Sequence, residues 1–115
     1  MKTTKKTSKD YHHVTKDWGS ETWVENNKLY CLKLMKCFPV WSSGGKYHFH
    51  VNKDEVFYIT KGKVLLDIDG KEICLEVGDS FRIKPNTNHR FKSITEEARF
   101  IEVSTFHEDS DTHYI

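Results

Sequence analysis

Helical periodicity is hard to find in this chain, and no other feature limits its fold as strongly. Short runs rich in Val, Ile, Phe, Tyr and Leu alternate with polar residues and are cut by turn signals. The pattern predicts strands over 21–25, 29–38, 46–51, 55–60, 63–69, 72–76, 80–84, 89–93 and 98–105. Asn26-Asn27-Lys28 reads as a turn, Pro39 ends the second run, and a Ser42-Ser43-Gly44-Gly45 loop follows. Tight joints lie at Lys61-Gly62, Asp69-Gly70, Val77-Gly78-Asp79 and Pro85-Asn86-Thr87-Asn88. Two-residue joints containing Gly suit hairpins. Strands at this spacing imply an all-β protein, an antiparallel barrel or sandwich.

A chain of 115 residues has room for one domain and one core. At this size roughly two-thirds of the unfolded surface can be buried, so no staple is obligatory. The expected organisation is a flexible basic arm over 1–16, a barrel over 17–105 and an acidic tail over 106–115. The arm carries Lys2, Lys5, Lys6 and Lys9 among Thr and Ser. Lys+Arg is 18 and Asp+Glu is 17, a formal charge of +1. That balance argues against a nucleic-acid or membrane-surface partner. No apolar run approaches the roughly 18 residues of a membrane span, and no apolar segment follows the basic start. Cys31, Cys37 and Cys74 are odd in number, lack CxxC spacing and lie in strand-like runs. Buried free thiols in a reducing compartment, hence a cytoplasmic protein, are expected.

Residues 45–62, GKYHFHVNKDEVFYITKG, carry the most chemical information. His48 and His50 are two apart on a predicted strand, so both imidazoles point to one face and Phe49 to the other. Glu55 opens the next predicted strand, where a hairpin can fold its carboxylate back beside them. Gly62 supplies a tight turn, where a side chain is costly if φ is positive. His89 opens a later strand, after a turn made by Pro85. Three neutral imidazoles and a carboxylate suit one divalent ion such as Zn, Mn, Fe, Co or Ni. Ordinary surface histidines on a polar strand face are the alternative for an isolated HxH pair.

Residues 45–62 resemble the first cupin motif: a Gly, then HxH, then Glu, then Gly. Residues 78–89, GDSFRIKPNTNH, resemble the second, with Lys84 and Asn86 where the family often has proline and glycine. The resemblance implies a single-domain cupin, an RmlC-like double-stranded β-helix or jelly-roll barrel. It also implies the metal ligands His48, His50, Glu55 and His89. Further short features recur in order: Trp18-Gly19, Tyr30 with Lys33, Ile101-Glu102-Val103, and the acidic segment His107-Glu108-Asp109-Ser110-Asp111. This layout looks like the cupin domain of type II mannose-6-phosphate isomerases and is similar to D-lyxose isomerase-like cupins.

The resemblance therefore implies a metal-dependent aldose–ketose isomerase acting on a small sugar or sugar phosphate. A base must take the C2 proton of the open-chain sugar and return it at C1. Lys46 shares strand parity with His48, Lys33 lies on a neighbouring strand, and Glu102 can face inward; one of these could be the acid/base. Solvated strand faces are the alternative for the lysines, and a structural ion pair for Glu102. Phe57 and Phe91 should wall the cup by parity with Glu55 and His89. Trp23 or Trp41 could stack on a sugar ring at its mouth; barrel core is the alternative for these aromatics. A homodimer is expected. His12, His13, His107 and His113 read as solvated; the alternative is that the His107–Asp111 segment binds a second ion or, folded over the barrel mouth, sugar hydroxyls. Arg82, Arg90 and Arg99 form no cluster for phosphate. An iron-dependent dioxygenase or a non-catalytic carbohydrate-binding or regulatory cupin remain the competing readings.

Overall fold

The computed structural model of the protein describes residues 4–115, so Lys2 of the basic start lies outside the described residues. The chain forms β1 (His12–Lys16), β2 (Gly19–Asn26), β3 (Cys31–Cys37), β4 (His48–His50), β5 (Glu55–Lys61) and β6 (Val64–Ile68). It continues with β7 (Lys71–Leu75), β8 (Ser80–Ile83), β9 (His89–Ser93), β10 (Ala98–Ser104) and β11 (Thr112–Tyr114). These make two antiparallel sheets, β1-β2-β3-β10-β5-β8 and β11-β4-β9-β6-β7. The result is the all-β architecture that the alternation predicts, in the jelly-roll form that the resemblance implies. No helix among the described residues is long and apolar enough to cross a membrane.

The period of two decides which side chains meet inside. β3 buries Cys31, Lys33, Met35 and Cys37; β10 buries Ala98, Phe100, Glu102 and Ser104; β5 buries Glu55, Phe57 and Ile59. Trp18, Met35, Phe57, Phe91 and Phe100 share one apolar cluster with Ile59, Val64 and Leu66. Phe57 and Phe100 lie 4.5 Å apart between ring centroids, and Phe91 meets both edge-on. One end of the barrel is thus filled with apolar side chains. Toward the other end the inward positions turn polar, at Lys33, Glu55, Glu102 and His89.

Turn chemistry holds the strands in register. Gly62 has φ +70, and a Cβ there would collide with Thr95 Oγ1 and lie 2.6 Å from the Glu97 carbonyl oxygen. Asn86 takes φ 62, a left-handed conformation that Asn tolerates. Its N–H donates to the His50 carbonyl at 2.6 Å, tying the Pro85 turn to the strand of the HxH pair.

Two expectations need correction. The segments outside the predicted barrel are not plain arms: β1 pairs with β2, and β11 pairs with β4 through Thr112↔His50 and Tyr114↔His48. Both are short strands at the edges of their sheets, so nothing local in them announces the pairing. All three cysteines are free, but only Cys31 and Cys37 are buried; Cys74 is exposed on β7, at the edge of its sheet.

Candidate metal centre

β4 and β9 lie side by side, with His48 directly opposite His89. The His48 ring centroid is 4.0 Å from that of His89 and 5.3 Å from that of His50. One ligand-capable atom from each of these three histidines lies within 4.8 Å of the others, so the triad could hold a metal ion. Glu55 approaches two of the three from β5: its Oε2 is 3.2 Å from His50 Nε2 and 3.7 Å from His89 Nε2. His50, Glu55 and His89 are buried and His48 is half-buried.

The fit to a metal rests on what these groups lack. His48 Nδ1, Glu55 Oε2 and His89 Nε2 are buried without any hydrogen-bond partner. Leaving a buried polar atom unpaired costs about 1–3 kcal/mol, so three orphans in and beside the triad call for a shared ligand. The outer nitrogens are already engaged. His89 Nδ1 donates to the Thr87 carbonyl at 2.8 Å and His50 Nδ1 to the Asp111 carbonyl at 3.2 Å, which turns both Nε2 atoms inward. Fixing the tautomer this way is usual for metal-binding imidazoles. Protonation is suppressed as well. Burial, then His89, His50 and Lys53, push His48 down to about 2. Burial pushes His89 down and outweighs the opposing pull of Glu55. Neutral imidazole is the form that binds metal.

The centre opens into a cavity of about 550 Å³ lined by residues of both sheets. A row of directly opposed residues crosses the six-stranded sheet: Trp23, Lys33, Glu102 and Phe57. Opposed residues on one face interact, which is why an oppositely charged pair sits there. Glu102 Oε2 is 3.1 Å from Lys53 Nζ and 3.9 Å from Lys33 Nζ. Lys33 also reaches Glu21 at 3.4 Å and lies 4.3 Å from the Trp23 ring centroid. Burial raises the Glu102 carboxyl, but the Lys53 and Lys33 ammoniums outweigh it and hold it well below the usual range. Burial lowers Lys53, but Glu102 and Glu55 outweigh it and push it up, so it remains an ammonium.

Of the other expected site residues, Phe57, Phe91, Trp23, Trp41, Lys33 and Glu102 all line the cavity, and Lys46 does not. Lys46 is exposed in the loop before β4; the strand begins only at His48, so its alternation does not extend to Lys46. Trp23 and Trp41 face cations: Lys33 lies over Trp23, while Arg90 and Lys92 lie 4.3 and 4.6 Å from the Trp41 centroid. Trp23 also donates its indole N–H to Glu21 at 3.0 Å. His107, expected to be solvated, is buried. Its Nδ1 accepts from Lys53 Nζ at 3.1 Å and its Nε2 donates to Asp109 at 2.9 Å. Lys53 itself went unnoticed in the sequence, since it falls in a loop where strand parity says nothing.

Residues 37–104, more than half of the chain, match the family described as the Cupin domain. The chain is 29% identical over 84 residues to the uncharacterized protein YdbB of Bacillus subtilis, covering 72% of this chain and 68% of that one. It is 32% identical over 47 residues to the uncharacterized protein MJ1618 of Methanocaldococcus jannaschii, and this stretch spans only 38% of that protein and 41% of this chain. Among solved structures it is similar to Streptomyces PAC13 with uridine, with TM-score 0.85 and 13% identity over 100% of this chain and 92% of that one. Pac13 is described as a nucleoside dehydratase. A cupin-superfamily sugar phosphate isomerase from Silicibacter pomeroyi gives TM-score 0.69 and 20% identity, covering 86% of this chain and 76% of that one. Hydroxypropylphosphonic acid epoxidase from S. wedmorenis gives TM-score 0.71 and 14% identity, covering 85% and 56%. At these identities the structures show a shared fold, and the family match goes further: this chain belongs to the cupin family.

Proposed function

We propose that the protein is a metal-dependent aldose–ketose isomerase acting on a small sugar, with one divalent ion held by His48, His50, Glu55 and His89. Similar folds serve a dehydratase, an isomerase and an epoxidase, so the reading rests on the site itself. The observation that carries it is a buried carboxylate, Glu102, kept ionised by two ammoniums in the cavity that His48, His50 and Glu55 also line.

When bound, the metal would supply Lewis acidity toward neighbouring oxygens of the sugar. Glu102 is assigned as the base that takes the C2 proton and returns it at C1. The carboxylate is in the form that accepts a proton. Lys53 stays an ammonium and is assigned as a donor to a sugar oxygen, not as a base. Lys33 holds Glu102 from its other side. Phe57 and Phe91 wall the floor, where they exclude water.

A free sugar fits this cavity better than a sugar phosphate. None of the three arginines lines it: Arg82 pairs with Asp54, Arg90 with Asp67 and Arg99 with Glu97. Lys33 and Lys53 are already matched to Glu21 and Glu102. The buried thiols Cys31 and Cys37 suit a reducing, cytoplasmic compartment.

The test is to load the protein with each candidate divalent metal and incubate it with a panel of aldoses and their phosphates. Ketose product is the expected result. Oxygen uptake without ketose would favour the dioxygenase reading, and sugar binding with neither would favour a regulatory cupin.

A further inference from the structure

Asp111 lies far along the chain from the HxH pair, yet it touches the metal centre in two ways. Its buried carboxylate accepts three consecutive backbone N–H groups. Oδ1 takes Val51 at 2.9 Å, Oδ2 takes Lys53 at 3.1 Å, and Asn52 reaches Oδ2 at 3.1 Å and Oδ1 at 3.3 Å. Its main-chain carbonyl accepts the His50 Nδ1–H at 3.2 Å. The next residue, Thr112, then pairs with His50 on β4.

The three amides belong to the short loop that leads from His50 to Glu55. The far end of that loop has its own anchors: Asp54 exchanges backbone and side-chain hydrogen bonds with Thr105 and pairs with Arg82. Among the described residues, the hydrogen bonds to the Val51, Asn52 and Lys53 amides go to Asp111. Carboxylate-to-amide bonds are charge-assisted and about twice as strong as neutral ones. One residue therefore sets the ring orientation of one ligand, the path of the chain to another, and the backbone from which Lys53 reaches Glu102.

We propose that Asp111 is a positioning residue of the metal centre, and that docking of residues 107–114 and metal binding are coupled. The proposal rests on the metal reading above. Coupling between two binding events is reciprocal, so whatever factor Asp111 adds to metal affinity, bound metal adds to the docking of the segment.

The experiment compares zinc(II) titration of the metal-free wild type, Asp111→Asn and Asp111→Ala, each first checked for strand content by circular dichroism. Asp111→Ala should bind zinc about 10–100-fold more weakly, as is typical when a group supporting a ligand is lost. Asp111→Asn, which keeps one acceptor oxygen, should lose less. The visible spectrum of cobalt(II)-loaded protein should change in Asp111→Ala, a signature that a purely structural role would not move. In the wild type, zinc should slow hydrogen exchange at the Val51, Asn52 and Lys53 amides. That comparison decides the matter if Asp111→Ala fails to fold. Unchanged zinc affinity and cobalt spectrum in a folded Asp111→Ala, or exchange indifferent to zinc in the wild type, would overturn this inference alone. A wild type that binds neither zinc nor cobalt would overturn the metal reading and the inference with it.

Discussion

Glu102 is a charged group that the barrel buries at some cost and then compensates. Lys53 and Lys33 flank it, and all three are nearly inaccessible. Glu102→Gln should cut kcat by about 10²–10⁴-fold, the range for a lost general base, while the metal content stays near that of the wild type. Equal losses of activity and metal would instead assign Glu102 to metal retention. Protonation gives a second expectation. His48 stays neutral in the folded chain and burial lowers His89, while in the unfolded chain both take up protons near the ordinary value of 6.5. Below that pH the unfolded state binds more protons, so stability is full above 6.5 and drains away as the pH falls. His48 contributes up to about 1.4 kcal/mol per pH unit, and His89 adds in the same direction. Melting of the metal-free protein should therefore shift downward between about pH 7.5 and about pH 5.5. An unchanged midpoint would mean these rings are not buried neutral. At this scale the positions of His48, His50, Glu55 and His89 were legible because strand parity and turn chemistry are local rules. Lys53, His107 and Asp111 were not, because loop side chains follow no period and their partners lie about fifty to sixty residues away.

Elements show the same division. The strands of the barrel could be read to within a residue or two, since most are apolar alternations closed by Gly, Pro or Asn. β1 and β11 escaped because a three- or five-residue strand at a sheet edge is defined by its partner rather than by its own sequence. Lys46 falls outside the cup for a related reason: β4 begins two residues later than the alternation predicts. The turn at Gly62 offers a direct check on the joints. Gly62→Ala must pay for a left-handed φ and displace Thr95 or the Glu97 backbone. It should lower stability by about 1–3 kcal/mol, measured by denaturant unfolding. A neutral result would show that the joint can shift without strain.

Taken whole, the molecule is a barrel packed with aromatic residues at one end and polar around a cavity toward the other. Its outer surface carries a further signal. Leu34 on β3, Ile101 on β10 and Tyr58 on β5 are directly opposed across the six-stranded sheet, and Leu34, Tyr58 and neighbouring Val103 are well exposed. A contiguous apolar face of this kind suits a protein contact, and we propose that it pairs two copies of the chain. Light scattering should give twice the chain mass of 13.6 kDa for the wild type and the single mass for Val103→Lys. A wild type that runs as a monomer would refute the pairing. The central claim is that four side chains gathered from β4, β5 and β9 form one metal site. Elemental analysis of purified protein tests it most directly. It should find about one divalent ion per chain in the wild type and almost none in His48→Ala, which should still fold because the apolar cluster does not include His48. A His48→Ala protein that remains fully loaded, or a wild type that takes up no ion after metal reconstitution, would contradict the account.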